Sequence, residues 1–160
     1  MIDPDAILRA LEDVKDPEIP ALSVVELGVI RNVHVAGHAV TVDFAPTFAG
    51  CPALDVMRAA IEVRLRALGA SPVEVRLVLS PPWTTDFISA AGRAKLKAFG
   101  LAPPPRHEGL IQVLFADDAL CPYCDSADTT LKNSFGPTLC RAIHYCRACQ
   151  QSFEQFKPVE

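Results

Sequence analysis

The sequence lacks three things that would each assign it a broad class. It has no surplus of basic charge. Residues 1–100 hold 10 Lys/Arg against 12 Asp/Glu, residues 101–160 hold 5 against 7, and the formal net charge is −4. A nucleic-acid reader needs a cationic footprint, so partners of that kind are not expected. It has no run of 18 uninterrupted apolar residues, so no membrane-spanning helix is expected. Its first residues, Met1-Ile2-Asp3-Pro4-Asp5, are acidic and lack the charged and apolar regions of a secretory leader, which points to a cytoplasmic address. No Ser-His-Asp arrangement, phosphate-binding glycine loop, H-E-x-x-H motif or internal repeat is present, which leaves hydrolytic and nucleotide chemistry without support.

What is present suits a packed chain. Half of the 160 residues are hydrophobic and 21% are charged, enough to bury a core of ordinary size plus a small module. Asp3 and Pro4 read as the cap and first residue of a helix. The paired prolines at 17 and 20 end the segment that carries Ile7, Leu8, Leu11 and Val14. Val29 to Val35 and Val40 to Phe44 form a hairpin about Gly37-His38, with Val40, Val42 and Phe44 on one face. Leu54, Met57, Ile61, Leu65 and Leu68 keep helical spacing up to Gly69. Val73 to Leu79 alternates as a third strand. Thr84 or Thr85 can cap a third helix ending at Gly100. The order α-β-β-α-β-α predicts a two-layer α+β domain over residues 1–100. A Pro-rich linker occupies 101–110, and a β module with short runs such as Ile111 to Phe115 occupies 111–160.

Five of the six cysteines fall in that last module. Cys121-Pro122-Tyr123-Cys124 and Cys146-Arg147-Ala148-Cys149 are C-x-x-C pairs with 21 residues between them. Two intervening residues let a tight turn aim both sulfurs at one ion, and a second turn completes a tetrahedron. Thr129-Thr130-Leu131 and Ala142 to Tyr145 supply hairpin arms that turn near Gly136-Pro137. A segment of about 50 residues is too small to rely on oil alone, so a structural metal is expected. Zinc is the first choice, since four thiolates leave no open coordination position. Iron takes the same ligands. Cys140 reads as a packed thiol, a spare ligand or a transfer thiol. His144 reads as a strand residue.

The remaining cysteine is different in kind. Cys51 precedes Pro52, which suits a first helical turn and places Cys51 at the N-cap. Backbone N–H groups there favour a thiolate. The residue reads equally as a simple cap. Asp16 and Glu18 could stand near it as oxygen ligands, but on the residues alone the reading is a solvated loop for both, with a turn role for Asp16. His34 and His38 read as exposed residues flanking the hairpin turn.

Four ordered runs carry a family resemblance: Asp16-Pro17-Glu18-Ile19-Pro20, Glu26-Leu27-Gly28-Val29-Ile30, Thr47-Phe48-Ala49-Gly50-Cys51-Pro52 and Pro81-Pro82-Trp83-Thr84-Thr85-Asp86. Over residues 5–98 they resemble the small iron–sulfur-cluster-assembly domain of SufT and its relatives. The run Phe135 to Ala142, the second C-x-x-C and Phe153-Glu154-Gln155-Phe156-Lys157 are similar to the tail of the PaaD-like family of phenylacetate degradation. The resemblance implies an iron–sulfur-cluster-assembly-like domain followed by a zinc ribbon. It implies an accessory component of the phenylacetyl-CoA epoxidase, a monooxygenase system, with no catalysis of its own. The implied role is assembly or maintenance of iron or iron–sulfur centres, the alternative being an iron-containing electron-transfer or structural subunit. Implied partners are the oxygenase and reductase subunits, iron–sulfur assembly proteins and a second copy of the chain. It also implies a functional Cys51 that transiently holds iron or a cluster, with Asp16 and Glu18 beside it. The chain departs from related tails in having no cysteine after Phe156-Lys157.

Overall fold

A computed structural model describes residues 2–48, 50–106 and 119–158. Two compact units divide between Trp83 and Thr84.

In the first unit, helix α1 (Pro4–Leu11) is capped as its sequence predicts. Asp3 accepts a hydrogen bond from the Asp5 N–H, and Pro4 stands at the first helical position. The helix stops at Leu11, and Val14 is buried from the turn that follows. Strands β1 (Ile30–Ala36) and β2 (Ala39–Phe44) form the hairpin, antiparallel with Val35 opposite Val40. Helix α2 (Ala53–Ala67) crosses to β3 (Val73–Leu77), which pairs with β2 in parallel, Val42 opposite Val75. The sheet order is β1-β2-β3, a small mixed sheet in which parallel neighbours are joined through a helix. Ala53, Met57, Ile61 and Leu65 line the buried stripe of α2. With Ile7, Leu11, Val40, Val42 and Phe44 they form the core. Each large aliphatic chain buried there contributes about 1.5–3 kcal/mol before chain entropy is charged against it.

Residues 13–29 hold no helix or strand, yet Ile19, Leu22, Val24, Leu27 and Val29 are all buried. Local hydrogen bonds make that burial tolerable. Asp16 N–H donates to Leu22 O (2.9 Å) and Val24 N–H to Val14 O (2.9 Å). Ser23 and Glu26 form a reciprocal box: the Ser23 N–H donates to Glu26 Oε2, and the Glu26 N–H to Ser23 Oγ, both at 3.0 Å. Gly28 follows at φ 73°, a left-handed conformation that glycine adopts without strain. The buried Trp83 then donates its indole N–H to Leu27 O at 2.9 Å. The Glu-Leu-Gly and Pro-Pro-Trp runs thus meet in one buried contact.

The second unit contains a 3-10 turn (Thr85–Phe87), helix α3 (Ala90–Ala98) and strands β4 (Leu101–Ala102), β5 (Thr129–Asn133), β6 (Arg141–Cys146) and β7 (Ser152–Phe156). The cap of α3 is Ser89, whose Oγ accepts from the Gly92 N–H. Thr84 and Thr85 do not cap it, because the chain first makes the separate turn at 85–87. The sheet order is β4-β7-β6-β5. Leu101–Ala102, read from sequence as the start of a linker, pairs in parallel with Glu154–Gln155. That pairing places α3 and β4 with the β module and moves the division of the chain to residue 83 instead of 100. Inside this unit Lys97 forms an ion pair with Asp125, and Arg93 donates to Thr85 O at 2.7 Å. The run Ile111 to Phe115 lies outside the described residues. Among the described residues, no helix is long and apolar enough to cross a membrane.

Candidate metal centre

Each C-x-x-C pair sits in a turn, and the two turns share a closing bond and a left-handed residue. The Cys121 N–H donates to Ser126 O at 3.0 Å, and the Cys146 N–H to Gln151 O at 2.9 Å. The residue after the second cysteine is left-handed in both, Asp125 and Gln150 each at φ 59°. They are the two non-glycine residues with positive φ among those described. That reversal turns the next backbone N–H back toward sulfur. Ser126 N–H reaches Cys124, Gln151 N–H reaches Cys149, and the N–H groups of Ala148 and Cys149 reach Cys146.

Register between the strands brings the turns together. Thr129 stands opposite Cys146 in the β5–β6 ladder, so the first turn, just before β5, faces the second, just after β6. The four Sγ atoms all lie within 4.8 Å of one another. The Cys121–Cys149 and Cys124–Cys146 separations are both 3.6 Å. A tetrahedral ion with metal–sulfur bonds of about 2.3 Å has sulfur–sulfur edges of about 3.8 Å. The donor set therefore fits a closed four-thiolate site in size as well as in chemistry. Cys121 and Cys146 are fully buried against Ala102, Ala119 and Phe153, Cys149 is half-buried, and Cys124 is exposed.

The protons follow the same geometry. The backbone hydrogen bond from Cys149 is the largest influence on Cys146 and, with bonds from Cys149 and Cys124 sulfur, lowers its thiol to about 7. Burial first, then the neighbouring sulfurs, pushes Cys149 up to about 12. At Cys124 the Ser126 bond lowers the pKa, but burial and the bonds to Cys146 and Cys121 outweigh it, and the net direction is up. Four clustered sulfurs cannot all ionise without a cation among them.

The other sulfur and imidazole candidates stand apart from this group. Cys140 is buried at the far end of β6, its Sγ 3.1 Å from Thr138 Oγ1. His144 is a buried strand residue stacked on Phe153, with ring centroids 5.5 Å apart.

In the first unit, Cys51 lies in the loop between β2 and α2. It is partly exposed, and its carbonyl accepts from the Leu54 N–H at 3.1 Å. Helix α2 starts at Ala53 with Pro52 as its N-cap, so Cys51 stands one residue outside the expected position, although Pro52 already has helical dihedrals (φ −65°, ψ −21°). Asp16 is buried, and its Oδ1 accepts from the N–H groups of Glu18 (2.7 Å) and Ile19 (3.1 Å). One oxygen is thus committed to the turn. Among the described residues the four cysteines form the one group of three or more potential ligands, so Cys51, Asp16 and Glu18 are not gathered into a second.

Sequence reasoning missed a polar cluster on the open face of the first sheet. Asp43 is bridged by Arg76 (2.8 Å), His34 (3.4 Å) and the Asn32 amide (3.2 Å). Only strand register unites these residues, Asn32 opposite Asp43 and Asp43 opposite Arg76.

Two family models match the chain: an iron–sulfur cluster assembly protein over residues 4–77 and the PaaD zinc beta ribbon domain over residues 112–157. Over 96% of its length the chain is 38% identical to an Escherichia coli protein named as one component of a "Putative 1,2-phenylacetyl-CoA epoxidase", covering 92% of that protein. It is 34% identical to the Fe-S protein maturation auxiliary factor SufT of Staphylococcus aureus, over 52% of this chain and 96% of that one. Among solved structures, a domain of unknown function (DUF59) from Bacillus anthracis superposes with a TM-score of 0.54 at 24% identity, covering 57% of this chain and 89% of its own. That likeness shows the α+β fold.

Proposed function

The chain belongs to the PaaD family, and from that premise we propose that it is an accessory maturation factor of the multicomponent 1,2-phenylacetyl-CoA epoxidase. It assembles or maintains that enzyme's iron or iron–sulfur centres and has no independent catalysis. Support comes from the epoxidase name of its full-length relative and from the iron–sulfur-assembly match of its first unit.

The observation that carries the reading is the closure of the four-sulfur site. Cys121, Cys124, Cys146 and Cys149 saturate a tetrahedral ion, so a metal there cross-links the two turns and offers no open position to a substrate. Zinc is the proposed ion. Transfer chemistry then falls to Cys51, a partly exposed thiol on a loop at the start of a helix. Iron or a cluster is its cargo, held through the thiolate and passed to the oxygenase or reductase subunits or received from iron–sulfur assembly proteins. Glu18 is the proposed oxygen donor, one that the cargo itself must draw to Cys51, since the two are not gathered without it. Asp16 contributes by fixing the turn on which Glu18 stands.

Anaerobic purification with elemental analysis, comparing the parent with Cys51→Ser and Cys121→Ser, tests both halves. The expected result is colourless protein with stoichiometric zinc in the parent and in Cys51→Ser, and loss of zinc in Cys121→Ser. Epoxidase produced alongside Cys51→Ser should be poor in iron. Full iron loading and activity of the epoxidase with Cys51→Ser would overturn the carrier role. Iron in the ribbon, with its visible absorption, would favour an electron-transfer subunit instead.

A further inference from the structure

The hairpin that holds the metal at one end displays an apolar knob at the other. The turn between β5 and β6 exposes Phe135 and Leu139, at 68% and 60%. Among the described residues they are the two most exposed large hydrophobic side chains of the second unit. A loop that exposes such residues through looseness would have few internal bonds, and this one has several. The Gly136 N–H donates to Arg141 O (2.9 Å), the Phe135 N–H to Asn133 Oδ1 (2.9 Å) and the Arg141 N–H to Thr138 O (3.2 Å). Gly136 lies so close to Arg141 that a Cβ there would meet its backbone at 3.0 Å. The tip is therefore rigid before anything binds, which lowers the entropy lost on association.

Its charge is also distinct. No acidic residue occurs from Thr129 to Phe153. Lys157 lies with Nζ 5.5 Å from the centre of the Phe135 ring and donates to Ser134 O, while Lys132 is exposed at the base of the turn. The next acidic residue along the chain, Glu154, is engaged by Arg141 at 2.9 Å. On a chain of net charge −4 this end is locally cationic. An aromatic ring with an ammonium beside it is matched by an apolar socket edged with carboxylates.

We propose that Ser134 to Leu139 is the docking tip of the protein, seating Phe135 and Leu139 in an acid-rimmed apolar socket on a partner protein. The inference rests on the accessory role above and adds where the partner is gripped. Arg141 and Cys146 bound β6, about 17 Å apart at strand rise. The metal thus stiffens the hairpin from the far end and does not itself meet the partner. A second copy of the chain is the poorer occupant for a tip-to-tip contact, since two cationic ends would face each other.

The test uses the full chain with its metal, titrated against purified oxygenase and reductase subunits of the phenylacetyl-CoA epoxidase at low and high salt. The Phe135→Ser/Leu139→Ser pair should weaken binding to one of them by about tenfold or more, as for a buried aromatic anchor. Lys157→Glu should weaken it and reduce its salt dependence. Both variants should keep the parent's zinc content. Cys51→Ser should bind as the parent does, which separates docking from iron handling. Binding by the double variant within about twofold of the parent would overturn the proposal, as would a parent that binds neither subunit. Sedimentation showing tip-dependent self-association would overturn it in favour of a dimer. Iron loading that survives Cys51→Ser would overturn the carrier reading and leave the docking tip standing.

Discussion

Replacing Gln150 by glycine should tighten the metal ribbon, and the gain follows from the backbone alone. Gln150 holds φ at 59° so that the next N–H can face Cys149. A side chain with a Cβ in that conformation costs about 1–2 kcal/mol. Glycine removes that cost but brings about 0.5–1 kcal/mol of extra freedom in the unfolded chain. The balance is a gain of between zero and about 1.5 kcal/mol, with a midpoint of about threefold in apparent zinc affinity where binding and folding are coupled. The equivalent change at Asp125 should give much less. Aspartate tolerates the left-handed region better than glutamine, and its exposed ion pair with Lys97 would be lost. Competition with a chromophoric chelator under reducing, anaerobic conditions measures both variants against the parent. Equal gains at the two sites, or a loss at Gln150, would refute the idea that the two turns store backbone strain in unequal amounts.

Two further predictions concern the first unit. Asp16→Ala removes the acceptor of two backbone N–H groups and should cost about 1 kcal/mol in urea unfolding, whereas Asp16→Asn should keep most of the stability and, on the positioning role proposed here, normal iron delivery. Asp43 should contribute to acid stability: burial raises its pKa, but the Asn32, Arg76 and His34 contacts outweigh that and hold the folded carboxyl below its ordinary 3.8. The contribution is fully present above the unfolded value and disappears as pH falls through the folded one, so Asp43→Asn should flatten the acid limb of a stability–pH curve while leaving its alkaline side parallel to the parent's.

How much of this is legible from sequence depends on the range of each interaction. The hairpin about Gly37-His38, the buried stripe of α2 and the cap of α1 are local, written in alternation, helical spacing and a single Asp-Pro pair. The cysteine pairing is equally legible, because C-x-x-C specifies a chelating turn by itself and twin turns imply a shared ion. Ser23 and Glu26 also lie within reach of a local signal, the Ser-x-x-Glu box, obscured because no long helix follows it. Sequence misplaces the cap of α3 by several residues, since the turn at 85–87 delays that helix, and the position of Cys51 by one, since α2 is capped at Pro52.

Tertiary structure alone decided the rest. Nothing in Leu101-Ala102 announces a strand until β7 offers it a parallel edge, and only that pairing gives α3 to the second unit. The Trp83 indole finds Leu27 O across fifty-six residues, and Asp43 finds Arg76 only through parallel register. Left-handed Asp125 and Gln150 are non-glycine residues in a conformation that propensity argues against, held there by the N–H groups that must face sulfur. Local sequence fixes what each short segment prefers; which distant backbone or side chain satisfies it is set by chain packing, where burial penalises every polar group left without a partner.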